Sequence, residues 1–465
     1  MKIIVIGAGP AGLTAAYELA RNGQQVTVVE KDIQVGGISK TVNYKGYYFD
    51  LGGHRFFTKY PEVEKIWKEV LPYDFLRRPR ISRIYYSGKF FYYPLRPFDA
   101  FFKLGPLRAI SAIFSYAKAR IKPYKNPDTF EKWVVNQFGR RLYETFFKTY
   151  TEKVWGISCT QISADWAAQR IRGLSLSRAI LNAFGLTRKN KIRTLVDEFL
   201  YPRRGPGQFW EAMTDKILRM GGQVILKAEA KRIKFEDSLV TVTLDHHGRQ
   251  EEIAGHKVIT SAPLSETIMS LEPKAPDLAY NAARHLRYRD FFTACLIIKK
   301  RDLFPDNWVY IHSPEITAGR MQNFKNWSPD MVPDMNHTSL GLEYFCFSSD
   351  PLWTEPDQKL LELACSDLQK LKLANKDEII DGSVIRFPKA YPVYDPGYRN
   401  QLAIIKDYLS QLSLIQVIGR NGLHRYNNQD HSMMMGLYAA RNILGETHSV
   451  WEINLEEEYH EQKSE

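Results

Sequence analysis

The sequence predicts an α/β protein in which a parallel-sheet domain, built from both ends of the chain, carries an inserted mixed α+β domain and a helical subdomain. Three observations predict it. Residues 2–30 read strand, glycine turn, helix, strand (KIIVIG, AGPAGLTAAYELARNG, QQVTVVE), with the uninterrupted apolar runs of strands buried on both faces. A second strand ending in glycine, LIQVIG at 414–419, stands near the other end. At 465 residues the chain is too long for one ordinary core, so two or three interleaved domains are expected.

Taken in order, residues 81–94 read as a hairpin around Ser87-Gly88-Lys89. Helical patterning dominates from about 98 to 220, broken at Lys122-Pro123, at Gly139 and around Pro202–Pro206. Alternation in LVTVTLD and the apolar run KVITSAP make 223–263 β-rich, and FFTACLIIKK and SLGLEYFCF read as further strands. A closing helix is expected from about Asp430 to Leu444. The expected first domain therefore comprises 1–80, 201–265 and 401–450. A hairpin and mainly helical subdomain, facing substrate or a membrane, takes 81–200, the substrate-domain sheet 266–400, and an acidic tail 451–465.

Gly7, Gly9 and Gly12 fit G-x-G-x-x-G between the first strand and helix, the signature of a Rossmann-type dinucleotide site. The first glycine permits the tight turn, the second lets backbone approach a pyrophosphate, and the third lets helix pack close to strand. Glu30 follows 18 residues after Gly12, where a carboxylate accepts hydrogen bonds from ribose hydroxyls. These residues leave NAD and FAD open. Separated from Glu30 by five residues, Gly36-Gly37 offers a second close approach of backbone to a ligand.

This arrangement resembles the flavoproteins of the amine oxidase and protoporphyrinogen oxidase group, which implies FAD as the cofactor and a Rossmann-type FAD-binding domain as its holder. In that group a second glycine pair leads toward the flavin, and FDLGGHRFFT, with Gly52, Gly53 and His54, occupies its place. The stretch is similar to the loop of UDP-galactopyranose mutases that carries a histidine near the flavin ring. GRRLYETFFKTYTEKVWG resembles the same mutases through Y-T-x-K-x-W-G, matched by Tyr150, Thr151, Lys153, Trp155 and Gly156, which implies that Trp155 lines a sugar-nucleotide pocket. Arg170 lies near the position of their flavin-side arginine, with one extra residue intervening. VIGRNGLHRYNNQD resembles their last flavin segment: Gly419 and Arg420 match its Gly-Arg, Tyr426 a tyrosine on the substrate diphosphate, and Asp430 an acid where the closing helix begins. Asp430 is expected to cap that helix, whose amino-terminal N–H groups would face the electron-rich end of the flavin. Two departures stand out. YPRRGPGQFWEAM is more similar to protoporphyrinogen oxidase and desaturase relatives, and Asn428 stands where mutases carry an acid.

Each candidate has a plainer reading beside it. His54 is a polar neighbour of the flavin or a histidine bonded to backbone. Tyr150 and Trp155 are substrate contacts or core aromatics. Arg170 belongs to a site or to a solvated basic face. KAYPVYDPGYRN offers Tyr391, Tyr394 and Tyr398 beside Arg386, Lys389 and Arg399, a set suited to a sugar diphosphate or to an ordinary proline-rich loop. The expected catalytic set is His54, Arg170, Tyr391 and Tyr426, with Tyr150, Trp155, Arg170, Arg420 and Tyr426 binding substrate.

Lys and Arg outnumber Asp and Glu by 64 to 52, a net charge of +12 that favours acidic ligands or an anionic membrane surface. No nucleic-acid motif is present, and the four cysteines show no metal-ligand spacing, so no metal is expected. The apolar start meets a glycine turn at once, without a signal-peptide pattern, so a cytoplasmic location is expected. Residues 90–122 mix aromatics with basic side chains. A core helix with solvated basic residues is the commoner explanation, and peripheral contact with the inner face of a membrane is the alternative. The combined reading is an FAD-dependent oxidoreductase of the amine oxidase superfamily acting on a small-molecule substrate, namely a sugar nucleotide, glycan or isoprenoid-linked compound. Two alternatives remain: a mutase-like isomerase that contracts a sugar-nucleotide ring with reduced FAD, and a non-catalytic flavin-binding protein at a membrane surface.

Overall fold

A computed structural model describes residues 1–164 and 197–454. Its central sheet has five strands, ordered Ile415–Val417, Lys257–Thr260, Lys2–Ile6, Gln25–Val29 and Gln223–Ile225, all parallel. Ile3, Ile4, Val5, Val28, Val258 and Ile259 are fully buried, as strands covered on both faces must be. Three distant pieces of chain thus build one sheet, and its order places the first strand in the middle.

Helix Pro10–Arg21 follows the first strand and is buried from Ala11 to Ala20. The closing helix, Gln429–Ile443, lies directly on it, because a Cβ on Gly436 would stand 2.3 Å from the Ala11 carbonyl oxygen. The closing helix is capped by Asn428, whose side chain and that of His431 satisfy each other's backbone N–H groups. Asp430, expected at the cap, is instead wholly buried in the first turn. An amide of the same length two residues earlier, at the N-cap position itself, takes the job.

The inserted part centres on a seven-stranded sheet, ordered Ile379–Pro392, Tyr288–Ile298, Thr338–Cys346, Arg320–Asn323, Trp308–Ile311, Ser82–Tyr86 and Lys89–Tyr92. The hairpin around Ser87-Gly88 is its edge, joined to Trp308–Ile311 by a parallel pairing. Tyr288–Ile298 is buried at every residue, which explains why apolar side chains fill it from Phe291 on with Thr293 as the sole exception. Within the stretch that reads as helical, Glu198–Pro202 is instead a strand paired with Phe75–Pro79. Its aromatic residues, stopped by Pro202, suit an extended conformation better than a helix.

Helices Pro97–Leu104, Pro106–Ile121 and Phe130–Phe138 pack beside this sheet. Pro106–Ile121 is not the core helix that the commoner reading expects. Its buried residues are Ala109, Ala112 and Ala119, whereas Leu107, Phe114 and Ile121 are 84%, 72% and 85% exposed.

Candidate functional site

The first glycine loop is built as its motif requires. Gly7 takes φ +97°, and a Cβ on Gly12 would stand 1.9 Å from the Gly7 carbonyl oxygen, so helix and strand meet only because both are glycine. Gly36, also left-handed at φ +106°, donates its N–H to the Ala8 carbonyl at 2.8 Å. Gly9 and Gly37 then face one another backbone to backbone, with a Cβ on Gly37 only 3.2 Å from the Gly9 Cα. Glu30 secures the loop by accepting from Ala8 N–H at 2.7 Å and Asp32 N–H at 2.9 Å, and burial pushes its carboxyl up from the usual range. Helix Pro10–Arg21 starts at Gly9, a residue with no side chain to cap it, so its first-turn N–H groups point at whatever anion lies over the loop. These residues fit a dinucleotide pyrophosphate with ribose beside Glu30. Gly419, at φ +81°, brings the last segment within reach, since its Cβ would meet Ala11 at 3.0 Å.

FDLGGHRFF continues this crevice. The Ser39 hydroxyl, two residues past Gly37, lies 3.4 Å from His54 Nδ1, while His54 Nε2–H donates to the Leu51 carbonyl at 2.9 Å. Burial, with Arg420 and Arg320 nearby, holds the imidazole down to about 4, so it is neutral at physiological pH. Asp50 anchors the loop from below. It accepts from Thr41 Oγ1 at 2.7 Å and from the Tyr201 hydroxyl, and burial pushes its carboxyl up to about 7 despite both bonds. Gly205 packs onto the same pair: its Cβ would stand 2.3 Å from Thr41 Oγ1, which accounts for a glycine in YPRRGPG.

Across the cleft stand residues of the seven-stranded sheet. Arg320 and Glu343 are directly opposed on neighbouring strands, and the guanidinium grips the fully buried carboxylate at 2.9 and 2.5 Å. Gln322 holds the other carboxylate oxygen at 2.8 Å. Arg320 Nη2 also donates to the Tyr391 hydroxyl at 2.8 Å. Burial pushes that phenol up to about 12, against the pull of Arg320, so it stays protonated. Tyr391 stacks on Tyr426 at 5.5 Å, and Arg420 lies 4.7 Å over the Tyr426 ring while donating to the Asn427 carbonyl at 2.7 Å. A fourth wall holds Arg55 and Arg80, both over the Trp308 ring at 4.8 and 5.3 Å. Arg80 Nε and Nη2 are buried and have no hydrogen-bond partner among the described residues.

The cleft between these walls is lined by Gly52, Gly53, His54, Tyr391, Arg420 and Tyr426 from the sequence-derived set. Trp155 lies one layer behind, stacked on Tyr394 at 6.0 Å and edge-on to Tyr391 at 6.3 Å. Tyr150 stacks on His312 at 4.7 Å, outside the lining but within electrostatic reach of Arg320 and Tyr426, which belong to it. Lys153 of the same motif is a staple, donating to the Ser313 and Ile316 carbonyls at 2.7 and 2.6 Å. Gly156 leaves room for Arg289, whose guanidinium a Cβ there would strike at 2.4 Å. Arg170 lies outside the described residues. Arg386 and Lys389 turn away from the cleft to Asp357 and Glu266. Arg80, Arg320 and Glu343 lie outside the sequence-derived set, as does Arg55, which in the sequence reads equally well as the partner of a carboxylate elsewhere. A cross-strand arginine–glutamate pair becomes visible only when the register is known, but the run RRPR at 77–80 was a signal open to reading.

Residues 10–401 match the family described as flavin containing amine oxidoreductase. Among curated relatives, the "Probable UDP-galactopyranose mutase" of Klebsiella pneumoniae is 29% identical over 173 residues, 35% of this chain and 43% of that one. The match thus spans less than half of that relative's length. Among solved structures, reduced UDP-galactopyranose mutase superimposes with a TM-score of 0.82 at 23% identity, covering 96% of this chain and 95% of that one. Putrescine oxidase with bound putrescine gives 0.64 at 16% identity, covering 96% and 100%. At such identities the superpositions concern the fold.

Proposed function

The chain belongs to the flavin-containing amine oxidoreductases, enzymes whose cofactor is FAD, and from that membership we propose that it oxidises a diphosphate-bearing substrate, a sugar nucleotide or an isoprenoid diphosphate-linked sugar, in preference to an uncharged glycan. One observation supports this choice of substrate. Arg55, Arg80, Arg320 and Arg420 face a cleft whose described lining contains no carboxylate. Glu343 balances the charge of Arg320, but a protonated amine entering the cleft still meets the like charges of Arg55, Arg80 and Arg420, whereas a diphosphate meets donors that fork onto its oxygens.

FAD, when bound, supplies the two-electron acceptance that no side chain offers. Gly7, Gly9, Gly12, Glu30, Gly36, Gly37, Gly52, Gly53, Gly419 and the first turn of the closing helix around Asp430 would hold it. Arg320, fixed by Glu343, and Arg420, fixed by the Asn427 carbonyl, bind phosphate oxygens without first having to be ordered. Tyr391 accepts from Arg320 and so keeps its own proton to donate to substrate. Tyr426 presents a ring to the sugar. His54 is neutral and spends Nε2–H on Leu51, so it holds the loop in place and passes no proton at neutral pH.

The aromatic cluster of Trp155, Tyr391, Tyr394 and Tyr426 favours a second reading, ring contraction of a sugar nucleotide by the reduced enzyme without net oxidation. An anaerobic screen separates them. Bleaching of the flavin by UDP-sugars or polyprenyl-diphosphate sugars supports the oxidoreductase, and pyranose–furanose exchange after pre-reduction supports the mutase. Bleaching by putrescine or other amines alone contradicts both.

A further inference from the structure

Of the two helices beside the edge hairpin, Pro106–Ile121 buries its small residues and exposes its large ones, and Pro97–Leu104 exposes Phe101 and Phe102. In Pro106–Ile121 the inward positions are Ala109, Ala112 and Ala119. Leu107, Ile110, Phe114, Ala117 and Ile121, spaced i, i+3, i+7, i+10 and i+14, form an outward stripe, extended by Ile113 at 55% exposure and by Phe102 on the preceding helix at 75%. Burial of apolar area drives the opposite arrangement in a helix that serves only the core of its own chain. Contiguous exposed apolar surface of this kind marks a contact site.

The surrounding charge specifies the contact. Arg96, Arg108, Lys118, Arg120, Lys122 and Lys125 are all exposed, and the one acid between residues 95 and 125, Asp99, is bonded to Lys103 at 2.5 Å. On the second helix Lys118 and Arg120 fall on opposite flanks of the stripe. An apolar stripe bordered by Lys and Arg is the pattern of a helix lying in the interface of a bilayer with anionic headgroups. A symmetric contact between two copies would instead bring these like charges face to face. Among the described residues no helix is long and apolar enough to cross a membrane.

We infer that helices Pro97–Leu104 and Pro106–Ile121 form an attachment surface for an anionic phospholipid bilayer, inserting into one leaflet. This goes beyond the catalytic reading and stands whichever substrate the cleft accepts. The surface is also tied mechanically to the cleft. Lys103 Nζ donates to the Phe90 carbonyl at 2.6 Å, the hairpin runs on to Tyr93, and Arg80 lies 5.4 Å over the Tyr93 ring while lining the cleft.

Co-sedimentation of the full-length holoenzyme with vesicles tests it. The wild type is expected to bind phosphatidylcholine–phosphatidylglycerol vesicles, to bind phosphatidylcholine alone at least about tenfold more weakly, and to be released by salt. The variant Leu107→Ser/Phe114→Ser/Ile121→Ser, altered only at exposed positions, is expected to keep its flavin absorbance and helicity yet lose binding by about tenfold or more. Lys118→Glu/Arg120→Glu/Lys122→Glu is expected to lose the phosphatidylglycerol preference. Equal binding by wild type and the serine variant overturns the inference, as does a wild type that ignores both vesicles. Light scattering that shows a dimer, turned to monomer by the serine variant, overturns it too, by making the surface a contact between copies.

Discussion

Gly12 and Tyr391 show how different the demands at single positions are. A methyl on Gly12 has no room beside the Gly7 carbonyl, so Gly12→Ala is expected to cost about 1–3 kcal/mol of stability and to yield protein with far less than one FAD per chain, read from the flavin absorbance. Tyr391→Phe keeps the stacked ring and loses only the hydroxyl between Arg320 and substrate. Its thermal midpoint should move little, its stability falling by about 1 kcal/mol, while KM for a phosphorylated substrate rises. Arg320→Ala is harsher, because it strands the buried Glu343 carboxylate, and such losses run to about 3–5 kcal/mol. Adding Glu343→Gln should restore much of the stability but none of the substrate affinity, a split that separates binding from folding.

Among elements, the helix pair Pro10–Arg21 and Gln429–Ile443 governs the cofactor end. Gly436 is what lets the backbones touch, so Gly436→Val is expected to push the helices apart, lower the thermal midpoint by several degrees and weaken FAD retention. The first of these helices was legible because strand, glycine turn and helix are neighbours in sequence and each carries its own periodicity. Gly436 was not, since its meaning lies in Ala11, a residue more than four hundred positions away. The same holds for the strands of the inserted sheet. FFTACLIIKK and SLGLEYFCF declare themselves as buried strands, but only the register of the second against the short strand Arg320–Asn323 sets Arg320 against Glu343. Periodicity likewise marked Pro106–Ile121 as amphipathic without saying that its larger residues face outward.

At the scale of the whole molecule, ends that are distant in sequence share one sheet, and the inserted sheet brings Arg320 and Tyr391 to the cleft that Arg420 lines from the last segment. That interleaving also buries titratable groups. His54, His312 and His424 are held at about 4, 3 and 4 by burial, so below the ordinary value of 6.5 the unfolded chain takes up protons that the folded chain does not. Their contribution is complete above that value and is lost as pH falls through the window. Asp50, raised from 3.8 to about 7, works in the opposite sense, as do Glu30, Glu211 and Asp395, whose carboxyls burial also raises. Substitution isolates the histidine contribution: as pH drops from 6.5 toward 4 the thermal midpoint of His424→Gln is expected to decline less relative to its value at pH 7 than that of the wild type, measured by scanning calorimetry across that range.

The central claim, a flavin enzyme whose cleft receives a diphosphate and refuses an amine, is tested most directly by titrating the yellow holoenzyme with UDP and with putrescine and following the flavin difference spectrum. The structure predicts a saturable change with UDP that is weakened in Arg420→Ala, and none with putrescine. A saturable change with putrescine alone, or a UDP response untouched by the substitution, would contradict it.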